Sequence, residues 1–595
     1  MFTTRPEILG TFGVVTSTHW LASATGMAIL EKGGNAFDAG VATGFALQVV
    51  EPHLNGPGGE VPILLFDRKV GEMEVICGQG VSPAAATIGY YRSLGFNLVP
   101  GTGLLAATVP GAFDAWMLML RDHGTMTLEE VLSPAIAMAE NGYPVVPNIT
   151  KTVDTVRELF ATEWTTSAAL YLKDGKAPQP GSLFRNVKMA EMYKRVLTEA
   201  KAAGGDRIKQ IEAARAAWSR GFVAEAIEKF CATTAAIDDS GKRNKGILTA
   251  EDMASWQATK EKPTTVEYGR YTVGVIPPWS QGPVLAQQLA LLKGYDLDKT
   301  DPTGPDFLHL FIESAKLAMA DREAFYADSA QVEVPIETLL SEAYNAERRA
   351  LIGDTASKEP RPGSVPGLTR WMDLEAHKRL GMAPEYAKFS IGEPTVRRDG
   401  NVAGDTCHFD IIDRWGNMVS ATPSGGWLQS SPTIPELGFC LTNRMQMFWL
   451  NEQSAAALAP KRRPRTTLTA NMALRDGAPY MAFGTPGGDQ QPQWSALMFL
   501  HHAHHGMNLQ ESIDCPALHI DHLVNSFWPR AAKWNHVQVE GRIPAATVEE
   551  LRRRGHDVTV GGDWSEGRLT AAAQADGLVK AAANPRGMQG YAIGR

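Results

Sequence analysis

The chain has 595 residues, 44% of them hydrophobic and 21% charged, the composition of an ordinary water-soluble globular protein. A net charge of −8 and the lack of any long basic run exclude nucleic acid as a default partner. No apolar run reaches the roughly 18 residues a membrane span needs, and no basic-then-apolar segment opens the chain, so no secretory signal is expected. Five cysteines (Cys77, Cys231, Cys407, Cys440, Cys515) are widely spaced and form no CxxC pair, which makes a reducing cytoplasm the expected location.

In chain order, the first 60 residues read as buried helix. "LASATGMAILEKGGNAFDAGVATGFALQVVEPH" (21–53) is apolar almost all round two segments broken at Gly33 and Gly34. Glycine there suits a helix C-terminus, and Asn35 the next N-cap. "VPILLF" and "MEVICG" then read as buried strands. Residues 109–141 return to helix, with Pro110 at its start. The stretch from about 150 to 265 is polar, rich in Ala and Lys, and reads as helical. "LHLFIESAKLAMADREAFYAD" (308–328) has a strong 3.6-residue period. "SKEPRPGSVPG" (357–367) reads as a surface loop or linker. From Thr406 onward short strand-like runs appear ("CHFDIID", "NMVSATPS", "TANMALRD", "YMAFGTPGG"), joined by turns such as "RWGN" and "RDGA". No internal repeat is present.

The run "GDTCHFDIIDRWGN" (404–417) sets a hydroxyl, a thiol and an imidazole in a row, Thr406, Cys407 and His408, at the head of a strand. A threonine hydroxyl is a weak nucleophile with no base of its own. Cutting the Asp405–Thr406 bond would supply one, because the freed α-amino group lies beside Oγ1 and has a pKa of roughly 7.7–8.0. The hydroxyl can make that cut itself, by attacking the preceding carbonyl and leaving an ester for water to open. Three further stretches bear on this chemistry. "GTPGGDQQ" (484–491) places adjacent glycines after a strand, the arrangement that lets backbone N–H groups converge into an oxyanion hole; a tight turn is the plainer reading. "RPRTTLTANM" (463–472) offers Thr466 and Thr467 as donors to a substrate, or simply as β-formers. "VEPHLNGPGGE" (50–60) is a Gly/Pro loop after a buried helix, or a plain connector.

Together these stretches resemble the γ-glutamyltranspeptidase family of N-terminal-nucleophile (Ntn) hydrolases, over nearly the whole chain. "GGNAFDAGVAT" with "VVEPHLNGPGG", "VPGAFDAWMLMLRDHGTMTLEEVLSPAIAMAENGYPV", "DTCHFDIIDRWGNMVSATPS", "RPRTTLT", "GTPGGDQQ" and "AANPRGMQGYAIG" follow the family's order. The resemblance implies an α+β fold, an αββα four-layer sandwich. It implies a precursor that cuts itself into chains 1–405 and 406–595, with Thr406 as nucleophile. Gly487 and Gly488 match the oxyanion-hole glycines, Ser424 the hydroxyl supporting the nucleophile's amine, and Thr466 and Thr467 a serine pair that holds a substrate carboxylate. No metal or organic cofactor is implied. The partners implied are a small amide substrate and the two chains of one precursor, with room for a homodimer of processed heterodimers.

The departures from the family bear on substrate. Where an Arg clamps the α-carboxylate in γ-glutamyl enzymes this sequence has Ile88, with Arg92 a turn later. The acidic block that holds the α-amino group reads "NRMQMF", with Arg444 and Met447 in place of the expected polar and acidic residues, and Gly426 stands where an Asn supports the site. Arg444 would repel an ammonium and could bind a carboxylate as a fork. An acyl group carrying a carboxylate but no ammonium is therefore expected, as in glutaryl (cephalosporin) acylases and oxamate amidohydrolase. Trp427 and Trp449 would add an apolar wall, Trp427 on a mobile loop over the site. A true γ-glutamyl hydrolase or transferase, and a non-catalytic descendant with a binding role, are the alternatives. Cys407 is a rival nucleophile, or faces the core. "HHAHH" (501–505) is metal-like in composition but reads as an exposed helix end, and "EELRRR" (549–554) as a solvated helix face.

Overall fold

The computed structural model describes residues 2–380 and 406–595. The expected boundary at 405/406 borders the segment 381–405, so Asp405 and the bond to be cut lie outside the described residues.

Period-two alternation builds the centre of the molecule. In the strand Phe409–Asp413, Phe409 and Ile411 point one way, into a core shared with Val15, Ile63, Leu65, Val419 and Ala421. Ile412 points the other way, with Val14, Leu64, Phe66 and Met418. That second face meets Met472, Ala482, Ala572 and Ala581, which belong to a different sheet, and Ile276, which follows one of its strands. Two sheets therefore pack face to face, each hydrophobic on both sides.

Among the described residues, one seven-stranded sheet runs in the order Tyr591–Gly594, Gly13–Ser17, Phe409–Asp413, Met418–Ala421, Val61–Asp67, Glu72–Gly78, Thr259–Glu261. The other runs Ile8–Gly10, Leu578–Ala583, Thr570–Ala575, Ala478–Gly484, Asn471–Arg475, Tyr271–Val275, Thr264–Tyr268. Neighbouring strands in both are antiparallel. The outer face of the first is covered by Trp20–Glu31, Ala36–Val50, Ala112–Asp122 and Leu128–Asn141. The outer face of the second is covered by Gly282–Leu292, Pro305–Phe325 and Gln491–His505. The result is an αββα sandwich.

The helix Ala36–Val50 shows why the N-terminal pattern folds this way. Asn35 caps it, accepting from Phe37 and Asp38 N–H while the Asp38 carboxylate accepts from Asn35 N–H. All its residues are buried, as an apolar run on every side requires. Pro110 precedes the helix Ala112–Asp122 rather than opening it, because Gly111 is the N-cap.

Two differences from the sequence reading concern strands. Gly13–Ser17 and Ile8–Gly10 precede the helices at the N-terminus, and the polar helical region ends before Thr259. The loop at 357–367 is pinned rather than free: Gly363 N–H donates to Asp321 Oδ1 (2.6 Å) and Arg361 pairs with Glu313 (3.0 Å).

Candidate active site

Thr406 is buried at the head of the strand Phe409–Asp413. Its Oγ1 lies 3.1 Å from Oγ of Ser424, which follows the partner strand Met418–Ala421. Arg444 Nη2 donates to the same Ser424 oxygen at 2.6 Å, and Arg444 Nε donates to the Glu60 carboxylate. Ser424 and Glu60 also exchange backbone hydrogen bonds, 2.9 and 3.0 Å, which fixes the geometry of the row Thr406, Ser424, Arg444, Glu60. The Arg444 guanidinium sits 4.8 Å from the centre of the Trp427 ring. Burial pushes the Glu60 carboxyl up, and Arg444 opposes the shift.

The next two residues brace the head of the strand behind Thr406. Cys407 is buried, donating its thiol to Glu51 Oε2 at 2.9 Å and accepting from Asn55 Nδ2 at 3.1 Å. Burial, and then the neighbouring Glu51, hold this thiol well above its ordinary range, so it stays protonated and faces the core. Glu51 is itself raised by burial, opposed by hydrogen bonds from Cys407 and Thr18 and by Arg568. At His408, Nδ1 lies 2.7 Å from Thr422 Oγ1, and Nε2 lies 3.1 Å from Asp410 Oδ1. Thr422 gives its one proton to the carbonyl of Thr469 at 2.5 Å, so His408 Nδ1 is the donor in their contact. With both nitrogens engaged, the imidazole is a clamp between the sheets rather than a base for Thr406. Asp410 completes the clamp by accepting from Ser420 (2.8 Å) and from Thr570 of the opposite sheet (2.7 Å).

The glycine turn approaches from that opposite sheet. Gly484 ends the strand Ala478–Gly484 directly under the His408 ring, where a Cβ would be 2.3 Å from Cε1. Gly487 (φ +131°) and Gly488 (φ +52°) both have left-handed backbone and lead through a short turn into the helix Gln491–His505. A Cβ on Gly487 would lie 2.2 Å from the Trp494 ring. The Gly488 carbonyl is fixed by Gln281 Nε2 at 2.8 Å. Thr466 and Thr467 are buried on the segment that runs into Asn471–Arg475. Thr466 N–H donates to the carbonyl of Trp279, and Thr467 Oγ1 has no hydrogen-bond partner among the described residues.

Other expected site residues stand differently. Arg92 is half-exposed and pairs with Glu452 (2.7 Å) and the carbonyl of Leu450 (2.9 Å), away from this row. The Trp427 loop is no exposed flap: Trp427 is buried and donates Nε1–H to the carbonyl of Leu54 at 2.7 Å. Trp449 donates to Glu323 at 2.8 Å. Gly426 is left-handed (φ +66°), and a Cβ there would lie 2.9 Å from Gly59 N, so the close approach of the two glycine stretches occupies the space at this position. The histidine cluster is not an exposed helix end. His501 is buried, His502 bonds Tyr480 (2.6 Å), and His504 bonds Asp298 (2.6 Å) and Tyr268 (2.7 Å). Glu60 is the site residue that sequence reasoning missed. Its one signal is a charged residue closing an otherwise Gly/Pro loop.

The family model for Gamma-glutamyltranspeptidase matches residues 22–594. The chain belongs to this family. It is 30% identical over 598 residues to the glutathione hydrolase-like YwrD proenzyme of Bacillus subtilis, covering 99% of each chain. The solved structure of LmbA2991HD superposes with a TM-score of 0.93 at 56% identity, over 100% of both chains. The cephalosporin acylase from Bacillus halodurans superposes at 0.83 with 26% identity, over 100% of this chain and 98% of that one. The sandwich is thus the Ntn-hydrolase fold, and the protein is an enzyme of the Ntn amidohydrolase and acyltransferase type.

Proposed function

We propose that this protein is a self-processing threonine amidohydrolase that removes a carboxylate-bearing acyl group from an amide. The observation that carries the reading is the buried Thr406 hydroxyl, held by Ser424 at the head of a central strand. Hydrolysis of the Asp405–Thr406 bond would divide the chain into 1–405 and 406–595 and free the Thr406 amine. That amine takes the proton from Oγ1 as the oxygen attacks the substrate carbonyl. The Gly487 and Gly488 amides receive the developing oxyanion. Collapse expels the amine product, and water then cleaves the acyl ester by the same route in reverse. Ser424, already accepting from Arg444, can direct its own proton toward Thr406 Oγ1 and hold it in line.

Charge supports the acyl class. The carboxylate beside Ser424 is Glu60, and it is already paired with Arg444, so this corner does not welcome an α-ammonium group. The test is Thr406→Ala. The variant should fold, stay a single chain and show no turnover of acyl p-nitroanilides, a loss of at least about 10³-fold. A processed, active alanine variant would remove Thr406 from the mechanism.

A further inference from the structure

The glycine turn has little of its own to hold it. Gly487 and Gly488 lack a Cβ and sit at positive φ, so the directions of their amides depend on what their carbonyls bond. Gln490 N–H donates to the Gly487 carbonyl at 3.0 Å. A planar trans peptide points its N–H opposite its carbonyl, so this bond aims the Gly488 N–H the other way. The Gly488 carbonyl receives Gln281 Nε2–H at 2.8 Å. Gln281 is the N-cap of the helix Gly282–Leu292, two residues after Trp279, whose carbonyl receives Thr466 N–H.

Gln281 is itself oriented by an arginine on the long helix. Arg322, in the last turn of Pro305–Phe325, donates Nη1–H to Gln281 Oε1 at 2.7 Å. A guanidinium can only donate, so it holds the Gln281 amide with its oxygen toward Arg322 and its nitrogen toward Gly488. Arg322 Nη1 also donates to Asp489, the residue after Gly488, and Nη2 donates to the carbonyl of Val524 at 2.9 Å. Asp489 accepts in addition from Ser526 Oγ (2.6 Å) and Ser526 N–H (2.7 Å). Arg322, Gln281, Asp489 and Ser526 are all buried. A buried ion pair adds little net stability once desolvation is counted, so the placement of this one calls for a role. It reaches two successive residues of the turn, Gly488 through Gln281 and Asp489 directly.

We propose that Gln281 and Arg322 are positioning residues that aim the Gly487 and Gly488 amides at the developing oxyanion. Gln281 and Arg322 lie in 1–405, and the turn lies in 406–595. One product of the proposed cut therefore shapes the oxyanion site carried by the other. This rests on the hydrolase reading above.

The test is Gln281→Glu, which still accepts from Arg322 but turns an oxygen toward the Gly488 carbonyl. Turnover is followed with glutaryl-p-nitroanilide, and inhibition with 4-boronobutanoate and with glutarate. The boron accepts the Thr406 oxygen and becomes a tetrahedral anion, the hydroxyl proton passing to the Thr406 amine. Glutarate stays trigonal. In the variant, kcat and boronate affinity should each fall by about 10- to 10²-fold, while KM and glutarate affinity stay within about 3-fold of wild type. Gln281→Met removes the same donor without adding charge and serves if the glutamate variant does not fold. Arg322→Lys, which keeps the charge but not the fork, should fall between wild type and Gln281→Glu. Equal loss of boronate and glutarate affinity, or an unchanged kcat, overturns the positioning role. If wild type neither turns over the anilide nor binds the boronate, the hydrolase reading fails, and crystal structures decide the positioning. A reoriented Gly487–Gly488 peptide in Gln281→Glu keeps it, and an unmoved turn overturns it.

Discussion

At the scale of single residues, the row Thr406, Ser424, Arg444, Glu60 gives the proposed nucleophile an electrostatic setting with a testable sign. A positive charge near the freed Thr406 amine disfavours its protonated form and lowers its pKa; a carboxylate does the reverse. In Arg444→Gln the cation is gone, and Glu60, pushed up by burial, becomes neutral. The acid limb of kcat/KM should then move up by about 0.5–1 pH unit. In Glu60→Gln the guanidinium is uncompensated, and the limb should move down by a similar amount. Profiles that shift together, or not at all, would reduce the pair to a structural strut. Thr406 was singled out through the order of the family's motifs, because a hydroxyl at the head of a strand is by itself a common pattern. Glu60 was not, because its meaning comes from Arg444, 384 residues away.

At the scale of elements, the glycine turn and its helix carry the strongest backbone constraint. Gly487→Ala must place a methyl at φ +131° against Trp494. Strain of about 1–3 kcal/mol is expected, with a lower Tm. Displacement of the amides should cut kcat by at least about 10²-fold. Wild-type Tm and rate in this variant would show that the turn does not shape the oxyanion site. The helices at Trp20–Glu31, Ala36–Val50 and Pro305–Phe325 were readable from period and caps. The hairpin Thr264–Tyr268 and Tyr271–Val275 was missed at the edge of a polar helical region, although its β-branched alternation around Gly269 marks it. Strand order was beyond the sequence, since Gly13–Ser17 lies between Phe409–Asp413 and Tyr591–Gly594.

At the scale of the whole molecule, close packing leaves several histidines neutral in the folded state. Burial lowers His19, His53, His501 and His522 to about 3, and His556 to about 2. The unfolded chain protonates these groups near pH 6.5, while the folded chain does not until much lower pH. The stability each contributes is whole above about pH 6.5 and declines as pH falls toward 3, by at most about 1.4 kcal/mol per unit per group. Urea unfolding of Thr406→Ala should therefore show a midpoint that falls steeply between pH 6.5 and 4, with net proton uptake. A flat midpoint across that window would mean the histidines open to water. The sandwich itself was legible only through the family resemblance; the strand patterns alone indicated strands flanked by helices, without their layering.

The most direct measurement is intact mass with N-terminal sequencing of the purified wild-type protein. Two chains are expected, the smaller beginning Thr-Cys-His-Phe, which would make Thr406 a freed N-terminal nucleophile. A single uncut chain that nevertheless hydrolyses an acyl amide, or a small chain beginning Cys-His-Phe, would contradict that mechanism.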